Sequence, residues 1–335
     1  MEFNSILYLA KPTIGGWVSF TSHLAYVNDI PLLRLSKKTE TKGREPKYRD
    51  FGYNILYHNI SIDDFINEGL VPIVSAIDKN YYHYIEKLPK GTIIVIHDPT
   101  ELKSLGEYLT YFKTHFKIIT IRETVHKILL SKDIPNTFLL HPYLESSSLF
   151  PSEASKTNAV SISRIDYDKH TEIILKANQL LLSPIHIYGA KNDRYVYNKL
   201  NKLDTMRENS PGSNYIGKFP KSYKHLAKIL SEAKYVVDMS RIKNDGGGTQ
   251  YTFLEAIDFN CALILHDDWV NVENSVFKKD FNCFTVKDEN ELIELLNSNQ
   301  DITNIIKNAR LILDKHCKNE GWRNTNVVSD VITDD

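Results

Sequence analysis

Cysteine is scarce: Cys261, Cys283 and Cys317 are the only three among 335 residues, and no two form a CxxC pair. Neither a disulfide framework nor a zinc site is read from them, and a reducing compartment is expected. Glycine (14) and proline (12) are modest while tyrosine (19) is plentiful, which argues against a long disordered region. An excess of one charge is also lacking. Lysine and arginine total 41 against 42 acids, so contact with nucleic acid would have to come from a local patch. No hydrophobic run reaches the length of a membrane span. The first residues, MEFNSILYLAKP, have neither the basic region nor the apolar core of a secretory signal. A cytoplasmic protein without membrane insertion is the expectation.

What the chain does have is alternation. Short apolar runs alternate with helix-like runs, the pattern of a parallel sheet covered by helices on both faces, and the length suggests two domains. In the first half, strands are expected at 5–10, 31–35, 54–57, 71–75, 91–96, 116–121 and 137–140. Helices are expected over the run that follows Phe20 and ends at 26, and at 63–68, 80–88, 101–114 and 123–130. In the second half, strands are expected at 158–162, 184–188, 213–216, 235–237, 261–265 and 282–286, with helices at 170–182, 223–232, 249–259, 289–297 and 302–317. Between the halves, Glu145 to Ser155 is rich in serine, lacks periodicity and reads as the linker. The expected division is a first domain over 1–150, a second over 151–317 and a C-terminal segment over 318–335.

The stretch from Asp238 to Asp268 concentrates the chemistry. A strand leads into a loop with Gly246, Gly247 and Gly248, then a helix, then another strand. Glycines let a backbone approach a ligand closely, and the unpaired N–H groups of a helix start suit a phosphate. Glu255, in the second helical turn, suits a ribose diol; with Thr252 it also fits a capping box. Gly15 and Gly16 stand between the first strand and the first helix, as a nucleotide-binding turn or as a tight turn only. His97 and Asp98 end the clearest strand of the first half, where parallel sheets place ligands; a turn with a helix cap is the other reading. His141, before Pro142, reads as structural. From Ser36 to Asp50 the chain carries Lys37, Lys38, Lys42, Arg44, Lys47 and Arg49 without apolar periodicity. This is either a solvated loop or a contact to a phosphate backbone, with Tyr48 and Tyr53 able to stack on bases.

The second half shows an ordered set of signals. Arg164 and Lys169, five residues apart, follow its first strand; a strand then ends in Gly189; Ile216-Gly217-Lys218-Phe219 follows; then come Ala-Lys-Tyr-Val-Val-Asp-Met-Ser, the glycine loop and the helix bearing Glu255. This order resembles the nucleotide-binding domain of the GT-B glycosyltransferases, in particular the retaining enzymes related to glycogen and sucrose synthases. The resemblance covers most of residues 158–290 and, more loosely, the first half. It implies an α/β fold of two Rossmann-like domains facing a cleft, and a hexosyl- or pentosyltransferase (EC 2.4) using a nucleotide-diphosphate sugar, a UDP-sugar above others. It implies that Arg164 and Lys169 neutralise the donor diphosphate and that Lys218 and Phe219 read the base. Gly247, Gly248, Gln250, Tyr251 and Thr252 would cradle sugar and phosphate, Glu255 would hold the ribose, and Gly15, Gly16 and Gly189 would line the same ligand. It also implies that the C-terminal segment crosses back to the first domain, anchored by Trp322. One departure stands out: where the family has a first glutamate eight positions before the second, this chain has Gly247, with Asp245 as the candidate replacement.

A narrower resemblance adds an acceptor. Gln250-Tyr251-Thr252-Phe253-Leu254-Glu255 is similar to the Glu-Tyr-Thr-His-Leu-Glu stretch of the DNA α-glucosyltransferases of T-even bacteriophages. Their first half also has a glycine-containing first loop, a basic loop after the second strand and a His-Asp step. The implied acceptor is a 5-hydroxymethylated pyrimidine in double-stranded phage DNA, with Lys37 to Arg49 on the DNA. The implied transfer is retaining, with His97 or Asp98 orienting sugar or acceptor. No metal and no tightly bound cofactor are expected, since no Asp-x-Asp motif is suitably placed and Asp267 and Asp268 are adjacent. A glycan or lipid acceptor, a sugar-nucleotide epimerase of the same architecture and a non-catalytic nucleotide-binding module stay open. So does a purely solvated role for the charges of Arg164 and Lys169.

Overall fold

Runs such as Ile6–Leu9 and Ile93–Ile96 are buried at every position, as strands covered on both faces must be. The computed structural model describes residues 5–10, 15–29, 32–35, 57–60, 62–67, 71–151, 155–200, 214–218, 222–241, 248–298, 300–318 and 320–322. The apolar runs form two all-parallel sheets. The first contains β1 (Ile6–Leu9), β2 (Leu32–Leu35), β3 (Tyr57–Ile60), β4 (Ile73–Ile77), β5 (Ile93–Ile96), β6 (Lys117–Thr120) and β7 (Thr137–Phe138), ordered β3-β2-β1-β4-β5-β6-β7. The second contains β8 (Asn158–Ile162), β9 (His186–Tyr188), β10 (Tyr215–Gly217), β11 (Ala233–Asp238), β12 (Ala262–His266) and β13 (Phe284–Val286), ordered β10-β9-β8-β11-β12-β13. Each order reverses once, between β1 and β4 and between β8 and β11. Loops leave such a reversal in opposite directions and open a crevice at the carboxyl ends of the strands, which is where ligands bind in this architecture.

The chain forms two compact units, residues 1–144 with 315–335 and residues 145–314. Each has its own core, with Leu7, Val74, Ile94 and Phe112 in the first and Ile174, Ile187, Val237 and Ile264 in the second. The C-terminal residues belong to the first unit. His316 Nδ1–H donates to His141 O at 2.9 Å, Trp322 Nε1–H donates to Leu140 O at 2.6 Å, and the Trp322 ring meets Phe20 edge-on at 5.5 Å.

Several elements differ from the sequence reading. The helix expected over 101–114 is two helices, Pro99–Leu105 and Tyr108–His115, parted at Gly106 with φ +48°. The run at 80–88 forms a 3-10 helix, Tyr82–Lys87. Of the strand expected at 54–57 only Tyr57 lies among the described residues, and the strand continues beyond it to Ile60. The helix expected to reach 182 stops at Asn178, whose side-chain amide brackets Ile185, donating to its carbonyl at 2.9 Å and accepting from its N–H at 2.8 Å. The serine-rich segment after Leu144 is packed rather than loose at its start: Ser146 N–H donates to Asp258 Oδ2 at 2.9 Å, and the Ser146 and Tyr223 hydroxyls are 2.5 Å apart.

Candidate functional site

At the β8–β11 reversal the sequence turns from apolar to polar on both strands: β8 is followed by Ser163-Arg164, and β11 ends on Asp238, followed by Met239-Ser240. Lys169 reaches back towards this point. Its side chain is only 10% exposed, with Nζ 3.7 Å from Asp238 Oδ2, and it donates to Gln250 Oε1 at 3.3 Å. Withdrawing an ammonium from water costs several kcal/mol unless it is paired, so Asp238 and Gln250 are what allow Lys169 to sit there. Lys169 is therefore not a surface charge. Arg164 is: its side chain is 65% exposed, with contacts to Asp166 at 3.1 Å and Asp168 at 3.4 Å. Pairs this exposed are worth little, which leaves the guanidinium able to trade them for an incoming anion.

The helix Tyr251–Asp258 starts beside this ammonium. Its N-cap residue, Gln250, makes no side-chain cap bond; its side-chain Oε1 accepts from Lys169 instead. The positive end of the helix dipole and the Lys169 charge thus point to one place, as an anion site requires. With Gln250 as the cap, Thr252 lies inside the helix, so Thr252 and Glu255 do not form a capping box. Glu255 is wholly buried (0% exposed). Gly248 and Thr249 lead into the helix; Gly247, Asp245 and Phe219 lie outside the described residues, and Lys218 is exposed immediately after β10.

Gly189, directly after β9, has a steric role. A Cβ there would stand 1.8 Å from Ser163 O. Gly15 is different: its φ of +107° favours glycine, and a Cβ at Gly15 or Gly16 would meet nothing within 4 Å.

In the first unit Gly15 and Gly16 come after β1, and His97 and Asp98 directly follow β5. His97 Nε2 lies 2.7 Å from Ser75 O, so it carries the proton, and burial pushes the pKa down to about 4. At neutral pH His97 is an uncharged imidazole. Asp98 caps the helix Pro99–Leu105, accepting from Thr100 N–H at 2.8 Å, Glu101 N–H at 3.3 Å and the Thr100 hydroxyl. Glu101 and Arg122 escaped the sequence reading. Glu101 Oε2 accepts the His97 N–H at 2.9 Å, Arg122 Nε donates to His97 O at 3.1 Å, and burial holds the Glu101 carboxyl well above its ordinary range. The signal available for Glu101 was its place one turn into a helix capped by Asp98.

Lys37, Lys38, Lys42, Arg44, Lys47 and Arg49 all lie outside the described residues. Among the described residues, no helix is long and apolar enough to cross a membrane and no group of three His, Cys, Asp or Glu is arranged to hold a metal ion.

Two parallel sheets with this strand order and with a paired lysine at the second reversal define the class: the chain has the GT-B glycosyltransferase fold. Two solved structures share it over nearly the full length. HepE of Anabaena in complex with UDP-glucose is 11% identical, with a TM-score of 0.67 over 98% of both chains. An α-glucosyltransferase in complex with UDP and a 13-mer DNA containing a HMU base is 12% identical, with a TM-score of 0.69 over 98% of this chain and 99% of that one. The GtfA/B complex matches 80% of this chain and 59% of that chain at 14% identity, with a TM-score of 0.51. No family model matches the chain, and no curated protein matches its sequence.

Proposed function

We propose that this chain is a glycosyltransferase that moves a sugar from a UDP-sugar to an acceptor hydroxyl. The observation that carries the reading is the buried Lys169 ammonium facing the start of the helix Tyr251–Asp258. The two full-length neighbours, bound to UDP-glucose or UDP, support a uridine diphosphate at that point. When the bond from the anomeric carbon to the diphosphate breaks, negative charge builds on the leaving phosphate. Lys169, Arg164 and the helix start are suited to stabilise it.

The finer reading is a retaining, metal-independent transfer. The acceptor oxygen forms its bond to the anomeric carbon on the side from which the diphosphate departs. A diphosphate oxygen takes the acceptor proton, and UDP leaves. His97, uncharged, is suited to orienting sugar or acceptor by hydrogen bonding. The proposed acceptor is a 5-hydroxymethylated pyrimidine in double-stranded DNA, in the cytoplasm of a host cell. The Gln250–Glu255 likeness supports it, as does the neighbour bound to DNA containing a HMU base. Lys37 to Arg49 is the segment proposed to meet that DNA.

The test is mass spectrometry of duplex DNA with and without 5-hydroxymethylated pyrimidines, incubated with a panel of nucleotide sugars. A sugar-sized mass gain confined to the modified DNA is the expected result. Slow hydrolysis of one donor with no gain on DNA would keep the transferase and move the acceptor to a glycan or lipid. Neither transfer nor hydrolysis would end the reading. Within it, Lys169→Met should lower single-turnover transfer by about 10²–10³-fold, the usual cost of deleting one preorganised group that stabilises developing charge. A Lys169→Met protein within threefold of the parent would remove Lys169 from the mechanism.

A further inference from the structure

Asp238 ends β11 beside Leu265 of β12 and is buried. Its two oxygens differ. Oδ1 accepts the Ser240 N–H at 2.8 Å. Among the described residues Oδ2 accepts no hydrogen bond, and it faces the Lys169 ammonium at 3.7 Å. That distance makes an ion pair without a hydrogen bond, and the ammonium sits nearer to Gln250 Oε1, at 3.3 Å. A carboxylate held dry with one oxygen unsatisfied is costly, and an anion at the entrance to an anion site repels its ligand. Both features are accounted for if the ammonium changes partners.

We propose that Asp238 is the resident counterion of Lys169, which it holds in place while the site is empty and yields to the diphosphate of the donor, so that donor binding exchanges one anion for another. This rests on the nucleotide-sugar reading. Asp238 is then a positioning residue whose charge weakens diphosphate binding and eases departure of the product. Gln250, neutral, holds the ammonium during the exchange without opposing the ligand.

The experiment is calorimetric titration of the full chain with UDP and, separately, with inorganic pyrophosphate, alongside thermal melts. Asp238→Asn should bind both ligands about tenfold more tightly, with turnover no faster than the parent. Asp238→Ser, which removes the charge without adding an amide donor, should behave alike. Gln250→Glu, which sets a second carboxylate against Lys169, should bind about tenfold more weakly. A folded Asp238→Asn or Asp238→Ser with unchanged or weaker binding overturns the proposal, because an acid needed only for folding gives that result. If neither Asp238 variant folds, unchanged affinity in Gln250→Glu overturns it and a tenfold loss supports it. Binding of pyrophosphate but not UDP, with the same order among variants, would uphold the exchange and end the nucleotide-sugar reading. A parent protein that binds neither ends both.

Discussion

Gly189→Ala is expected to cost more than roughly 4 kcal/mol, enough to class it with the rare, mechanism-specific losses rather than with ordinary substitutions. The added Cβ would lie 1.8 Å from Ser163 O, 3.0 Å from Ser163 C and 3.6 Å from Arg164 Cα. All three are backbone atoms, so no side chain can turn aside. The backbone on both sides is also tied down. Ser163 N–H donates to Tyr188 O at 3.2 Å, Gly189 N–H to Gly217 O at 2.9 Å, Ile165 N–H to Ala190 O at 2.9 Å, and the Tyr215 hydroxyl to Gly189 O at 2.9 Å. Relieving the overlap means parting the ends of β8 and β9, at about 1 kcal/mol per lost hydrogen bond, with loss of packing around Ile187 added. Urea denaturation read by tryptophan fluorescence and circular dichroism measures the cost, and a loss below about 1 kcal/mol would refute the steric account. Because Ser163 opens the loop that ends at Lys169, any protein that does fold should also bind UDP more weakly.

Gly189 illustrates how much of the site could be read from sequence. A glycine closing a strand is a visible mark, and it marks a place that matters, but the reason, contact with Ser163 across the sheet, is a long-range fact. Helices with local signals were legible to the residue. Glu289–Asn297 is capped by Asp288 and Tyr223–Glu232 by Ser222, and both boundaries can be found from the cap alone. Gly106 was an equally local signal, and its left-handed backbone splits a helix that apolar periodicity alone runs through. The strand at Tyr57–Ile60 misled because it lies at the edge of its sheet and carries His58 and Asn59; edge strands need not be apolar throughout. Lys169 and Gln250 were legible through the resemblance of their sequence motifs, Lys169 in the loop after β8 and Gln250 at the start of a helix. Asp238 was not, since a carboxylate ending a strand acquires meaning only from an ammonium brought to it from 69 positions earlier in the chain. Glu101 is hidden for the same reason, its backbone partner at His97 becoming significant only once both are buried.

Acid should unfold the first unit at a pH where its carboxylates are still largely ionised in an unfolded chain. His97, His141 and His316 are buried there. Burial pushes His97 and His316 down to about 4; it also takes His141 well below its ordinary value, with His316, Arg122, His97 and His23 adding to the effect. A group with a lowered folded pKa contributes stability that is complete above its unfolded value, 6.5 for histidine, and is lost as pH falls towards the folded value. Glu101 works the other way. Its folded pKa is raised above 4.5, so between that value and neutrality it takes up a proton in the folded chain first and gains stability as pH falls. Three histidines less one carboxyl leave two protons favouring the unfolded chain, a slope of at most about 3 kcal/mol per pH unit. From pH 6.5 to roughly 4.5 the loss approaches about 5 kcal/mol, comparable to the whole stability of many domains. Thermal melts at pH 7.5, 6 and 5 should therefore show a steep fall in the transition of the first unit. His316→Gln, which keeps a polar side chain without the titration, should flatten that fall by about one half, since it takes one of the two net protons away. A melting temperature unchanged between pH 7 and pH 5 would mean that these histidines take up protons without unfolding the chain, and that the buried cluster opens to water locally instead.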